Sequence, residues 1–374
     1  LEKIQMLNLQ SQYQRLKPEI DQTVLKELEM GRFINGDSVT SFENILAQRL
    51  DVAFVIGCGN GTDALQIALM ALDLEPNAEV ILPAFTYPAT AEVVALLGYV
   101  PVYVDVESTD FNIDVAKIEE AITSKTKVIM PVHLFGQAAD MSSIMELAQK
   151  HKLYVIEDNA QAIDAEHISE DGSKSKLGTL GDIGITSFFP TKNLGCYGDG
   201  GALFTKNELL AKRIRKIANH GQSSKYYHDI IGVNSRLDSL QAAILKIKLN
   251  YLDQFNKAKQ DIAHVYNRGL KNIEGLKLPF QNPFSTHVYH QYTLQIEEDR
   301  RDSLKDHLAQ NGIQSTIYYP IPIHVQEAYK KWYKGQDLSN AESLSNKVLS
   351  IPIHTEMSEN DVQRVISVIK EFFA

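Results

Sequence analysis

Residues 52–74 read VAFVIGCGNGTDALQIALMALDL, and the change of character halfway through this stretch decides the fold. It starts as a short apolar run, turns through Gly57, Gly59 and Gly61, and continues as an apolar helix. A short strand, a glycine-bearing turn and a helix make one unit of an α/β chain. The unit recurs downstream. EVILPAFTYPATAEVVALLGYVPVYVDV at 79–106 gives strand, loop, helix and strand. TKVIMPVHLFGQ at 126–137, a helix from about Met141 to Lys150, and LYVIEDNAQ at 153–161 extend the alternation. IGITSFF from Ile183 and GALFTK from Gly201 supply two more strands. Near-continuous apolar strands alternating with helices predict a mostly parallel sheet covered on both faces.

A large α/β domain is therefore expected over residues 12–250, with a smaller C-terminal α+β domain over 251–374. Near the start, Leu16, Ile20, Val24 and Leu28 predict a helix interrupted or begun at Pro18. Thr40 or Ser41 is expected to cap a helix running to Leu50. The polar stretch 166–180 reads as a loop or small hairpin. From Arg236 to Leu270 a long helical segment leads into the second domain. Strands are expected there in HVYHQYTLQI (287–296) and QSTIYYP (314–320), and an amphipathic helix closes the chain at 359–374.

The chain has 374 residues, 44% of them hydrophobic and 22% charged, enough for a large core with an attached lobe. A net charge of -10 argues against a nucleic-acid groove. No run approaches the length of a spanning helix, so no membrane association is expected. A polar, glutamate-bearing start is unlike a secretory signal, and Cys58 and Cys196 alone make no disulfide scaffold, so a cytoplasmic protein is expected. The 11 histidines include no HExxH pair. His287 and His290, read as part of a strand, would face opposite ways, so no metal site is expected.

Several residues invite chemistry. Gly61, Thr62 and Asp63 open a helix, where unpaired N–H groups suit a phosphate, although a merely tight turn would look the same. Asp158 ends a strand at the edge where open α/β sheets bind ligands; it could pair with a protonated ring nitrogen or cap a following helix. Lys192, within SFFPTKNLGCYGDGG at 187–201, has an amine able to attack a carbonyl if burial or neighbouring cations leave it neutral. Ser187 offers a hydroxyl five residues earlier. Tyr87 could stack on a flat ligand or pack beneath its loop. Asn234 and Arg236, before a helix, could reach an anion or brace the helix start. Tyr319, His324 and His220 lie among prolines or glycines and, taken singly, read as structural.

Taken together and in order, GNGTDAL, PAFTYPATAE, VIEDNAQ, SFFPTKNLGCYGDGGAL, NHGQ, GVNSRLDSLQAA and YYPIPIHVQ resemble the DegT/DnrJ/EryC1/StrS family of nucleotide-sugar aminotransferases. The resemblance spans nearly the whole chain. It implies the aspartate-aminotransferase fold (fold type I of the pyridoxal phosphate enzymes) and pyridoxal 5'-phosphate as cofactor. By that resemblance Lys192 matches the lysine that bonds covalently to the cofactor, Asp158 the acid on the pyridine nitrogen, and Gln161 the residue beside the ring hydroxyl. Ser187, Gly61, Thr62 and Asp63 match phosphate ligands, Tyr87 the aromatic stacked on the ring, and Asn234 a phosphate contact from the neighbouring subunit of a homodimer. Tyr319, His324, His220 and Arg236 fall in stretches that shape the substrate pocket.

The activity so implied is transfer of an amino group from L-glutamate to the keto carbon of a nucleotide-linked sugar. A lysine, rather than a histidine, at 192 favours transamination over the related sugar dehydration. The motifs look most like members acting at C3, with UDP-2-acetamido-3-keto-glucuronate the leading substrate. A dTDP-linked 3-keto-6-deoxyhexose, or transfer at C4, stands as the alternative. A regulatory protein that binds the cofactor or a nucleotide sugar is the non-enzymatic alternative.

Overall fold

The computed structural model describes residues 3–297 and 299–374. Helices α1 (Leu9–Met30) and α2 (Asp37–Leu50) come first, then β1 (Phe54–Cys58), α3 (Gly61–Leu72), β2 (Glu79–Pro83), α4 (Ala89–Leu96) and β3 (Val100–Val104). They are followed by α5 (Val115–Ala121), β4 (Thr126–Ile129), α6 (Met141–His151) and β5 (Tyr154–Asp158). The polar excursion is a hairpin, β6 (Glu166–Ile168) and β7 (Lys174–Lys176). Next come β8 (Ile183–Ser187), β9 (Gly201–Thr205), α7 (Glu208–Ala218) and a second hairpin, β10 (Gln222–Ser224) with β11 (Tyr227–His228). The remainder is α8 (Ser239–Asn250), α9 (Leu252–Leu270), β12 (Leu276–Lys277), β13 (Tyr292–Ile296), α10 (Arg301–Gln310), α11 (Ser339–Lys347), β14 (Val348–Ile351) and α12 (Glu359–Phe373).

Seven strands form one sheet in the order β1-β9-β8-β5-β4-β2-β3. The five from β8 to β3 are parallel, and β9 runs against both β1 and β8. Side chains of successive strand residues point to opposite faces, and both faces are covered. Ile56, Val80, Val128 and Ile156 pack against α3 through Ala64, Leu65 and Ala68. Their strand neighbours Ile81, Ile129 and Val155 meet Ile144 and Leu147 of α6 on the other side, and Val55 meets Phe42 and Leu46 of α2. A three-stranded antiparallel sheet, β12-β13-β14, packs its Leu294 and Ile351 on α9, α10 and α12.

Some sequence expectations fail for local reasons. Pro18 neither starts nor breaks α1; it is exposed midway along the helix, where water can satisfy the carbonyl it leaves unpaired. The second helix begins at Asp37, not after Thr40 or Ser41, because Gly36 caps it and donates to Ser239 Oγ at 3.1 Å. The long segment after Arg236 is two helices, divided at Tyr251. Only Tyr292–Ile296 of HVYHQYTLQI is a strand, so His287 and His290 do not lie on opposite faces of one. QSTIYYP makes a single bridge, Thr316 to Ser350, and the strands that pair with β13 are β12 and β14.

One buried carboxylate fastens the strands that matter most. Glu157 on β5 accepts from the N–H groups of Gly178, Leu180 and Gly181 at 2.9, 2.7 and 2.6 Å and bonds His133 Nε2 at 2.9 Å. Burial opposes its charge, but these bonds outweigh it and hold the carboxyl below its usual range. The turn entering β8 is thereby tied to β5. At the same place Gly184 runs so close to the turn that a Cβ would lie 1.9 Å from the Gly178 carbonyl oxygen. Gly184→Ala is expected to cost about 3 kcal/mol or more, because backbone must move to admit the methyl. A urea midpoint unchanged from wild type would refute that.

Candidate active site

The parallel strands end on one edge, and the chemically promising residues gather there. β2 leads into the loop bearing Tyr87, β5 ends at Asp158, β8 ends at Ser187, and β1 leads into the first turn of α3. The register draws the last two together. Gly201 of β9 lies opposite Cys58 of β1 and opposite Ser187 of β8. The start of α3 then approaches Ser187 so closely that a Cβ on Gly61 would lie 2.7 Å from the Ser187 Cβ. Only glycine leaves this space open. Asn60 caps the helix by accepting from the Asp63 N–H at 2.8 Å, and the Asp63 carboxylate accepts from Ser235 Oγ at 2.6 Å. Asp63 is thus engaged within the chain, while Gly61 and Thr62 carry the N–H groups that a helix start leaves unpaired.

Asp158 is 6% exposed. Its Oδ1 accepts from the Ala160 N–H at 3.0 Å, within a turn rather than at a helix start, and Thr90 Oγ1 lies 3.5 Å from its Oδ2. Burial pushes its pKa up, against the opposing pull of Ala160, Lys192 and His133. Lys192 sits in the compact loop between β8 and β9, its N–H donating to the Phe189 carbonyl at 2.8 Å. Its amine makes no hydrogen bond or ion pair among the described residues. Burial lowers its pKa to about 8, with the Asp158 charge pulling the other way. An amine close to neutrality and an under-bonded carboxylate share one edge of the sheet.

Gln161 links this centre to a wall. Its Oε1 accepts from the Phe135 N–H at 2.9 Å and its Nε2 donates to Tyr319 OH at 3.0 Å. The Tyr319 ring stands 6.3 Å from that of Tyr87, which is 58% exposed at the loop surface. Burial holds the Tyr319 phenol above its usual range, so it stays a neutral partner.

Other expected residues are not brought here within one chain. His324 is fully buried, its Nε2 bonded to Glu342 at 3.1 Å and its ring against Tyr333, while its Nδ1 is left without a partner among the described residues. His220 and Asn234 are exposed; the His220 carbonyl accepts from His228 Nδ1, and Asn234 pairs with Asn219 through a backbone bridge. Arg236 donates to Asn219 Oδ1 at 3.2 Å and lines a separate open cavity of about 760 Å³ with Arg215 and Lys216.

Sequence reading missed Thr90 and Ser235, which steady Asp158 and Asp63. It also missed Asn193 and Lys259, buried beside Lys192. The lysine alone left a visible signal, a cation on the apolar face of a helix. Among the described residues no helix is long and apolar enough to cross a membrane, and no cluster of ligating side chains is placed for a metal.

A small ligand carrying a phosphate, a basic ring nitrogen and an aldehyde would find a matching group for each here. The close approach of Gly61 to Ser187 would suit the phosphate, the under-bonded Asp158 the ring nitrogen, and the amine of Lys192, without a hydrogen bond among the described residues, the aldehyde. Pyridoxal phosphate is such a ligand. Comparison with known proteins agrees. The "Pleiotropic regulatory protein" of Geobacillus stearothermophilus is 43% identical over 99% of this chain and 98% of its own. The UDP-2-acetamido-2-deoxy-3-oxo-D-glucuronate aminotransferase of Pseudomonas aeruginosa is 42% identical over 98% of this chain and 99% of its own. The crystal structure of S. venezuelae DesV in complex with a ketimine intermediate superposes with a TM-score of 0.95 at 37% identity, covering 100% of this chain and 99% of that one. NtdA from Bacillus subtilis, solved with bound cofactor PMP, gives 0.91 at 34% identity, covering 100% and 86%. The model of the DegT/DnrJ/EryC1/StrS aminotransferase family matches residues 14–370. The chain belongs to that family of aminotransferases, and its cofactor is pyridoxal phosphate.

Proposed function

We propose that this aminotransferase moves the amino group of L-glutamate to C3 of a nucleotide-linked 3-keto sugar, with UDP-2-acetamido-3-keto-glucuronate as acceptor. The observation that carries the reading is the amine of Lys192, depressed toward neutrality beside Asp158. The Pseudomonas aeruginosa relative, named for the same sugar, supports the choice of acceptor. Pyridoxal phosphate, when bound, supplies a carbonyl that exchanges amines and a cationic ring that accepts electrons from a carbon losing its proton.

The chain's own residues do the rest. Lys192 is the covalent anchor, and when released its Nζ takes a proton from the donor carbon and returns it toward the acceptor. Asp158, buried and short of donors, favours a proton on the ring nitrogen facing it, because an opposite charge relieves its desolvation. Ser187 Oγ and the N–H groups of Gly61 and Thr62 hold the phosphate, keeping the ring in place while Lys192 is free. Gln161, fixed by Phe135 and Tyr319, addresses the ring hydroxyl, and Tyr87 covers a ring face. Tyr319 borders the sugar.

Asn234, His220 and Arg236 belong to this reading only in a homodimer, each reaching the partner's site. The hairpin beside them supports it, because Tyr226, Tyr227 and Ile231 are 81%, 70% and 85% exposed. Exposed apolar groups so close together suit burial against a second copy. His324, held by Glu342, is left out of this reading, and Arg236 is proposed as the cation that meets the sugar carboxylate. The large α/β domain of 12–250 and the smaller domain of 251–374 are likewise proposed as the two lobes that flank the site.

The deciding experiment incubates the holoenzyme and L-glutamate with UDP- and dTDP-linked 3-keto and 4-keto sugars, following product by mass and locating the new amine by NMR. Amination of the UDP sugar at C3 is expected, and Lys192→Ala should lower it by about 10³-fold or more. A product aminated elsewhere, faster turnover of a dTDP sugar, or no turnover of any would overturn the proposal in that particular. Cofactor uptake by the free protein should quicken as pH rises through about 8, where the Lys192 amine sheds its proton. Uptake that is flat across that range would contradict the role given to the amine. Shared sites predict complementation: Lys192→Ala and Asn234→Asp are each expected to be nearly inactive. Dissociated and reassociated together, they should recover activity in mixed dimers. A mixture no better than its parts would exclude a site built from two chains.

A further inference from the structure

The half-buried Lys192 is not the only amine at its end of the loop. Lys259, on α9, is 4% exposed, and its Nζ donates to Asn193 Oδ1 at 3.0 Å. Asn193 directly follows Lys192 and donates in turn to Asn256 Oδ1 and to the Val288 carbonyl, both at 2.9 Å. One short chain of bonds therefore runs from α9 into the loop that bears Lys192. Lys192 and Lys259 also line the same small cavity of about 20 Å³.

No carboxylate among the described residues pairs with Lys259. A buried lysine without a counter-charge is costly to keep unless something else uses it. The ionisable groups around the two amines are Asp158 beside Lys192, His290 beside both, and His354 beside Lys259. Burial keeps both histidines neutral, with the nearby lysine charges pushing the same way, so neither offsets a proton on an amine. Among the described residues Asp158 is the anion that acts on Lys192, while Glu356 and Asp361 act, within this group, only on His354 and pull it the other way.

We propose that Lys259 is a positioning residue of the active site: it fixes the loop through Asn193 and sets the electrostatic ground of Lys192, so that a proton on either amine disfavours one on the other. Burial first, and the charge of Lys192 second, lower the Lys259 pKa to about 7. The coupling is mutual, since two interacting groups release protons in steps that belong to the pair. Near neutral pH the pair holds fewer protons than two isolated lysines would, and Lys259, lowered further than Lys192, is the amine that gives up its proton first. The inference rests on the reading of Lys192 as the reacting amine.

Two substitutions separate charge from shape. Lys259→Arg keeps a donor for Asn193 but makes the charge permanent. Lys259→Met keeps the length and removes the charge. Trace acetylation with acetic anhydride across pH, on cofactor-free protein, reads the fraction of neutral Lys192 from the mass of its peptide. The midpoint should be lowest in Lys259→Arg and highest in Lys259→Met, the two differing by about half a pH unit or more, with wild type between. If Lys259→Met does not fold, a midpoint in Lys259→Arg below that of wild type still carries the proposal. Equal midpoints, or the reverse order, overturn it. Because no cofactor or substrate is present, that result would leave the proposed transfer standing, and a failure of transfer would leave this titration readable.

Discussion

There is no room for a side chain at Gly201, and the arrangement of the site depends on it. A Cβ there would lie 2.5 Å from the carbonyl carbon and oxygen of Asn60. Because glycine is present, β9 can pass between β1 and β8 with Cys58 and Ser187 opposite the same residue. The first turn of α3 can then descend onto Ser187. A helix start, with its unpaired N–H groups, is thus brought to a serine more than a hundred residues away in the chain. The meeting of helix start and serine is a consequence of strand register.

Two adjacent carboxylates on β5 show how the fold separates support from chemistry. Glu157 receives three backbone donors and a histidine, and its charge is more than compensated. Asp158 faces the other side of the sheet with one backbone donor and a long contact from Thr90. Both are buried, yet its hydrogen bonds leave Glu157 lowered while burial leaves Asp158 raised. The first behaves as a strut. The second keeps an unmet demand for positive charge, the property a cofactor-binding acid needs.

A similar economy governs the amines. The Lys192 amine has no hydrogen-bond partner among the described residues, while that of Lys259 is held by a bond to the residue after Lys192. Loop geometry and amine charge are therefore controlled from α9, whose Ile262 and Tyr266 pack on the small sheet. The helix that packs on the small sheet is thereby tied to the loop that bears Lys192.

The linear chain determined the strand–turn–helix rhythm, since apolar runs of strand length between glycine turns have few other ways to bury themselves. It also carried the motif residues Gly61, Asp158, Ser187 and Lys192, whose side-chain chemistry is local. It misled where neighbours outvote local preference: Pro18 sits inside an exposed helix face, and aromatic QSTIYYP is held by loops rather than by a ladder. His324, which read as structural by itself and as pocket-lining only by resemblance, is bonded to Glu342. Only tertiary structure decided that Gly201 aligns Ser187 with α3, that Asp158 is left short of donors while Glu157 is not, and that Lys259 lies beneath Lys192. Each of those depends on which distant groups share a buried volume, and pairing across strands and helices, rather than order along the chain, settles that.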